Sequence, residues 1–393
     1  MYEGMIELAV GELAAVGPRY DLFLSFAGPD RAIGRRLAAE LRGRGMRVFL
    51  DEDGIALFSS INTSIEEALG SAKAILAYYS VAYAEREACQ LELMAAFLAG
   101  QREGDPARRI LVINPEPTTA HLSPVELADT KHAVQPAGST DFGTLAAHIQ
   151  AKVARLEGTI ASVSLSRRPP WYGKQLTGTA NFVGSHRELW QLHSALRSSD
   201  YPFTTERHWL TTAVVCGERG VGKTSLVAAY ARRFASAYPG GIVWTSLAGA
   251  TGLASARASY CRQMRRIAAF MRLDTATLRE DELVAVVGGS LAESNGRSLW
   301  VVDHIDPLLD PDSVAELILP GAGDLSTVLI STRDLFGAAV PSVRLHPHVP
   351  APAEVSPRPV LMETAQAGGG EGSRYDVSAS NPRSTRISAR SLR

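Results

Sequence analysis

Eight residues, Gly217-Glu218-Arg219-Gly220-Val221-Gly222-Lys223-Thr224, fit the pattern G-x-x-x-x-G-K-[ST]. Such a run does chemistry mainly with its backbone: the glycines let successive N–H groups turn inward around phosphate oxygens. Lys223 would bring a point charge to the outer phosphates, and Thr224 would offer its hydroxyl to Mg²⁺. Ser225 continues into an apolar run, Leu226 to Tyr230, that reads as a helix whose positive end faces the phosphates. The cradle therefore comprises Gly217, Gly220, Gly222, Lys223, Thr224 and Ser225, with ATP or ADP as the expected ligand. A plain glycine-rich turn would lack both flanks. Here a strand-like run, Thr212-Ala213-Val214-Val215-Cys216, delivers the loop.

The elements that must position such a site alternate along the chain. In the N-terminal part, strands are expected at Tyr20–Ser25, Arg47–Asp51, Ala74–Tyr79 and Arg109–Ile113. Helices are expected over Asp30–Arg44, around Ile65–Leu69, over Ala84–Ala99 and over Phe142–Leu156. The first carries Ile33, Leu37, Ala38 and Leu41 at helical spacing before Gly45. Strand and helix in alternation imply a parallel sheet covered on both faces, with ligands beyond the carboxyl ends of the strands. After the loop come strands at Gly241–Thr245, Leu299–Asp303 and Thr327–Ser331, and helices near 254–271 and 282–293. Residues 158–179, with Pro169 and Pro170, have linker composition, and from about His346 prolines, a glycine run and a Ser/Arg-rich end predict disorder.

Composition narrows the class. The chain has 393 residues, 46% of them hydrophobic, and a formal net charge of −1, which fits a globular protein with two or three cores and gives no direct sign of nucleic-acid binding. Arg31, Arg35, Arg36, Arg42 and Arg44 read as the solvated face of one helix. No apolar run approaches the roughly 20 residues of a spanning helix, and the N-terminus is acidic where a signal peptide is basic, so a cytoplasmic protein without membrane contact is expected. Cys89, Cys216 and Cys261 lie far apart without metal-ligand spacing and read as reduced core thiols.

Several segments carry a resemblance to a known family. Tyr20-Asp21-Leu22-Phe23-Leu24-Ser25-Phe26-Ala27-Gly28-Pro29-Asp30, Arg47-Val48-Phe49-Leu50-Asp51, and Ser80-Val81-Ala82-Tyr83 followed by Cys89-Gln90-Leu91-Glu92-Leu93 are similar to the strands and the S-x-x-Y…W-C-x-x-E-L segment of Toll/interleukin-1 receptor (TIR) domains. Ala88 stands where that family often has Trp, and the loop from Asp51 to Asn62 lacks its common Pro-Gly. The resemblance implies a flavodoxin-like fold, and in enzymatic members cleavage of the nicotinamide–ribose bond of NAD⁺, with Glu92 in the place of the catalytic glutamate. Phe26 and Tyr83 are candidates for lining the NAD⁺ pocket. A lone glutamate on a helix is by default a solvated surface group. One carboxylate nonetheless suffices for this chemistry, because nicotinamide leaves as a neutral molecule and needs no proton.

The second unit resembles NB-ARC/STAND signalling ATPases. Asn181-Phe182-Val183-Gly184-Ser185-His186-Arg187-Glu188-Leu189 is similar to their lead-in, Leu299-Trp300-Val301-Val302-Asp303 to their second nucleotide motif, and Ile330-Ser331-Thr332-Arg333 to their sensor strand. The resemblance implies that Asp303 joins Thr224 in holding Mg²⁺ and that Arg333 lies near the terminal phosphate. His304 follows Asp303 where many hydrolytic relatives have a second carboxylate, so slow turnover is expected. Neither a winged-helix part nor a repeat array is found after the sensor strand, so a chain either truncated or divergent at its end is expected.

The expected organisation is a TIR domain over 18–157, a linker over 158–179, a P-loop nucleotide-binding domain over 180–345 and a disordered tail over 346–393. The expected function is TIR-catalysed NAD⁺ cleavage to nicotinamide and a linear or cyclic ADP-ribose, controlled by an ATP/ADP switch in immune or cell-death signalling. Homo-oligomers through both domains, and other TIR proteins, are the expected partners. Two alternatives remain open: a non-enzymatic TIR scaffold with a nucleotide-dependent oligomerisation switch, and a P-loop NTPase with an inactive flavodoxin-like appendage.

Overall fold

The computed structural model describes residues 17–50, 61–130, 132–134, 142–163, 169–173, 185–200, 211–275, 277–293, 296–315 and 324–347. The loop over 51–60, the lead-in Asn181–Gly184, most of the expected linker, and the expected tail from residue 348 onward lie outside them. Two parallel sheets share one compact unit.

The first sheet is built from β1 (Tyr20–Phe26), α1 (Arg31–Gly43), β2 (Val48–Phe49), α2 (Ile61–Gly70), β3 (Ala72–Tyr78), α3 (Val81–Glu85), α4 (Glu87–Arg102), β4 (Ile110–Asn114), α5 (Val125–Asp129), β5 (Ala133–Val134) and α6 (Gly143–Val153). Its strands run in the order β2-β1-β3-β4-β5, all parallel. Side chains alternate across a strand, so Leu22 and Leu24 pack under α1 and α6 with Leu37, Leu41 and Ile149, while Phe23 faces the other way toward Leu93 and Phe97 of α4. Both faces are covered, which explains the continuous apolar runs of β1 and β3. The order reverses direction at β1, whose neighbours are β2 on one side and β3 on the other, and such a switch point opens a crevice at the carboxyl ends of those strands.

The second sheet comprises β6 (Trp171–Gly173), β7 (Thr212–Cys216), β8 (Gly241–Ser246), β9 (Ser298–Ile305), β10 (Leu325–Ser331) and β11 (Ser342–Arg344) in the order β11-β7-β10-β9-β8-β6, again parallel. It is flanked by α7 (His186–Arg197), α8 (Lys223–Arg233), α9 (Gly252–Phe270), α10 (Glu280–Ala292) and α11 (Pro311–Ala315). The strand bearing the phosphate loop and the strand bearing Asp303 are not neighbours, because β10 lies between them.

Two local expectations are corrected. The helix expected over Ala84–Ala99 is broken into α3 and α4 by Arg86, which is extended (φ −87°, ψ 116°), and Ser80 caps α3 by accepting the Tyr83 N–H at 3.2 Å. Within the expected linker, Trp171–Gly173 adds to β8 as an edge strand, where the preceding Pro169 and Pro170 leave no ladder bond unmade.

The two sheets are joined through a continuous core. Phe97 of α4 meets Trp190 of α7 edge-to-face at 5.1 Å between ring centres, and Phe234, just past α8, stacks on His193 at 4.5 Å. His193, fully buried, places Nε2 2.9 Å from Glu126 Oε1 of α5 and Nδ1 3.0 Å from the Tyr230 hydroxyl of α8. Burying an aromatic or large aliphatic side chain contributes about 1.5–3 kcal/mol, so these rings outweigh the rim bonds Ser236 to Gln101 and Val125 to Ser194. Burial alone pushes the Glu126 carboxyl up, but His193 and Arg197 more than offset it and hold the group below its usual range.

Candidate functional site

Two crevices carry the sequence-predicted residues, one at the carboxyl end of each sheet. In the first, α4 turns Cys89, Leu93 and Phe97 inward, which leaves Glu92 on its flank, half-buried at the end of β1. The crevice is lined by Glu92, Ser25, Phe26, Gly28, Arg31 and Arg86 among others. Phe26 forms its wall because its ring rests on α1 at Gly34, where a Cβ would come within 2.6 Å of the ring. Across the mouth, Ser80 donates to Asp30 Oδ2 at 2.6 Å and ties the turn after β1 to the end of β3. Burial and the nearby Glu116 push the Asp30 carboxyl up despite that bond.

Tyr83 does not line the crevice. It is fully buried one layer behind, its hydroxyl 3.1 Å from Ser25 Oγ and 3.2 Å from the Cys89 carbonyl oxygen. Ser25 in turn donates to Glu92 Oε2 at 2.5 Å. Burial, together with the neighbouring Cys89 and Glu92, pushes the Tyr83 phenol well up, so it remains a neutral donor. Burial and the Glu92 charge push the Cys89 thiol up to about 12, which leaves a protonated sulfur and no nucleophile beside the glutamate. Sequence reasoning missed Ser25, Arg31 and Arg86 as crevice residues. Ser25 carried a signal, since it is a buried polar residue in phase with Phe23 at the carboxyl end of the strand.

The second crevice holds the phosphate loop. Gly217, Gly220 and Gly222 all adopt positive φ (147°, 80° and 101°), and a Cβ on Gly217 would lie 2.5 Å from the Leu345 carbonyl oxygen. The helix α8 begins at Lys223, two residues before the expected Ser225, which is exposed in its first turn. Lys223 Nζ donates to the Gly217 and Glu218 carbonyls at 2.8 and 2.6 Å, and burial lowers its basicity. Thr224 donates to Asp303 at 3.2 Å across the gap that β10 spans. Asp303 is buried and accepts the His304 N–H at 2.8 Å.

His304 sits in the left-handed region (φ 59°) where the β9–β10 register slips by one residue, a bulge that turns its ring toward Ser246 Oγ, 3.3 Å away. Arg333, exposed just beyond β10, donates to the Leu309 carbonyl at 3.2 Å. A hydroxyl and a carboxylate brought together at a helix start make an oxygen donor pair suited to Mg²⁺, with phosphates and water completing the shell. Among the described residues, no group of three His, Cys, Asp or Glu side chains forms a metal cluster. A cavity of about 420 Å³ at the junction, bordered by Thr119, Ser123 and Ser194, carries no ionisable side chain in its lining. Among the described residues, no helix is long and apolar enough to cross a membrane.

A family model described as TIR domain matches residues 22–144, and one described as AAA domain matches residues 211–338. No curated protein matches the chain. Among solved structures, the TIR domain of the Toll-related receptor TRR-2 from Hydra magnipapillata is similar at 14% identity, with 35% of this chain and 99% of that one covered and a TM-score of 0.27. CDC6P from Pyrobaculum aerophilum is similar at 17% identity and a TM-score of 0.29, with 47% of this chain covered; the match spans 48% of that protein, about half its length. The chain carries a TIR domain followed by an AAA-type P-loop domain.

Proposed function

We propose that the TIR domain cleaves NAD⁺ and that the P-loop domain, acting as a nucleotide-state switch of the NB-ARC/STAND kind, controls its assembly in an immune or cell-death signal. The observation that carries this reading is the Glu92 carboxylate, held by Ser25 at the border of a crevice at the switch point of the first sheet. In the reaction the bond between ribose C1′ and the nicotinamide nitrogen breaks, and its electron pair goes to the ring, which leaves neutral. Water then adds its oxygen to C1′ and releases a proton. Glu92 stabilises the positive charge that builds on the sugar in between, as a fixed charge that needs no reorganisation. Phe26 offers an apolar wall, and the Arg31 and Arg86 guanidinium groups bordering the same crevice suit the negative charge of a dinucleotide.

On the second sheet, Gly217, Gly220, Gly222 and Lys223 hold the phosphates of ATP or ADP, Thr224 and Asp303 hold Mg²⁺, and Arg333 leaves the Leu309 carbonyl for the terminal phosphate. Mg²⁺, when bound, neutralises phosphate charge. With His304 in place of a second carboxylate, turnover of ATP is slow and the domain reports which nucleotide it holds. Homo-oligomers through both domains, with other TIR proteins as further partners, and a cytoplasmic location complete the reading. Its test is direct: concentrated full-length protein is incubated with NAD⁺ and nicotinamide is followed by chromatography. Release that rises steeply with protein concentration is the expected result. No release under enforced assembly overturns the enzymatic reading in favour of the scaffold.

A further inference from the structure

We infer that Ser25, backed by the Tyr83 hydroxyl, is the positioning residue that orients the Glu92 carboxylate, an inference that rests on the NAD⁺-cleavage reading. Ser25 is 2% exposed, so its hydroxyl is no surface group. It has one proton and two oxygen neighbours, Glu92 Oε2 at 2.5 Å and the Tyr83 hydroxyl at 3.1 Å. A carboxylate is the stronger acceptor, so the serine proton goes to Glu92.

The Tyr83 proton then has two acceptors within reach, Ser25 Oγ and the Cys89 carbonyl at 3.2 Å. Both lie on the groups that frame Glu92: Ser25 at the end of β1 and Cys89 one turn earlier on α4. With the phenol proton on Ser25 Oγ, donation runs Tyr83 to Ser25 to Glu92 and each bond polarises the next; with it on the Cys89 carbonyl, the tyrosine instead holds the first turn of α4, the helix that carries Glu92. Tyr83 is itself fixed, because it lies in α3, whose start is capped by Ser80, and its ring packs on Tyr79 at 4.7 Å between centres.

The consequence is mechanical and electrical together. A glutamate on a helix flank has several rotamers in reach, and the one adopted here places Oε2 on the Ser25 hydroxyl at the end of β1. The serine bond selects it before substrate arrives and favours the ionised form that the developing sugar cation requires. Neither Ser25 nor Tyr83 touches the reacting atoms in this scheme, so both act through Glu92.

The test uses the full chain. In Ser25→Ala, with thermal unfolding read first, kcat for NAD⁺ cleavage falls about tenfold or more while KM stays within about twofold, since misorientation of a reacting group is felt in turnover. Tyr83→Phe costs less. Because Tyr83 acts through Ser25, adding Tyr83→Phe to Ser25→Ala costs nothing further. If Ser25→Ala does not fold, Ser25→Cys, with a weaker donor of similar shape, takes its place. Unchanged kcat, a loss carried by KM alone, or additive losses in the double variant overturn the inference.

A second readout separates it from the function itself. The Glu92 titration is followed by carboxyl-carbon NMR, and removing the serine donor moves its midpoint upward. If wild type releases no nicotinamide, the proposed function falls, and the midpoint still decides the positioning role. Identical midpoints in wild type and Ser25→Ala overturn it.

Discussion

The two crevices hold their charged groups in opposite ways. Glu92 is restrained by a donor supplied from a neighbouring strand, Ser25, and that strand moves with the sheet. Lys223 is turned back on the carbonyls of its own loop, Gly217 and Glu218, bonds that an incoming phosphate can replace one for one. A group that must meet charge appearing only in a transition state benefits from being fixed in advance. A group that must follow a ligand in and out benefits from a flexible stem and a temporary partner. Under the proposed function, the difference is that between a site arranged for chemistry and one arranged for exchange.

The largest effect is expected at the exchanging site. Lys223→Ala abolishes measurable ATP and ADP binding, because the point charge on the phosphates is lost while the loop backbone stays folded. Calorimetric titration checks it, and undiminished affinity would show that the lysine never leaves its carbonyls. Next comes the fixed site: Glu92→Gln keeps size and hydrogen-bonding capacity but lowers NAD⁺ turnover at least about a hundredfold, with the melting temperature and nucleotide affinity of the second sheet unchanged. Equal nicotinamide release by the two proteins would assign the chemistry elsewhere. A smaller effect is expected from Asp303→Ala, which leaves some nucleotide affinity and removes its response to Mg²⁺, measured by titration with and without the metal.

The last prediction concerns what lies between the crevices. His186, at the start of α7, is buried beside Glu87 of α4 at 3.6 Å and is pulled from 6.5 to about 4 by burial and by Arg233. Its folded form resists a proton that the unfolded chain accepts, so the stability is whole above about pH 6.5 and declines as pH falls toward 4, by about 3 kcal/mol at most. Glu126 acts in the same sense at lower pH, since its depressed value means stability lost as it protonates. Melting temperatures taken from pH 7 to pH 4.5 in wild type and His186→Leu test this, with a flatter profile expected in the variant.

What could be read in the sequence was what depends on neighbours along the chain. The phosphate loop was legible because its glycines and lysine act through local backbone geometry, and β1, α1 and β3 were legible because their apolar spacing answers to one sheet. Arg86 was not, since nothing in Glu85-Arg86-Glu87 forbids a helix, yet its backbone is extended there and separates α3 from α4. Trp171–Gly173 was hidden by its prolines, which fit an edge strand as well as a linker. The position of β10 between β7 and β9, and the pairing of Glu126 with His193, depend on contacts across long stretches of chain that no local pattern encodes. For Glu92 the sequence indicated the helix and the residue, whereas its bond to Ser25 needed the sheet.

The core shared across the junction limits how portable either half can be. Two motifs in succession invite the view of beads that evolution or an engineer could swap at will. A first half cut away here would carry Phe97 and Met94 on an open face, with Glu126 stripped of its histidine, and a second half would offer Trp190 and Phe234 to solvent. Apolar faces of that kind seek partners or aggregate. Recombination with a foreign TIR domain would therefore need a donor with matching residues on α4 and α5, because the two halves pack as one unit.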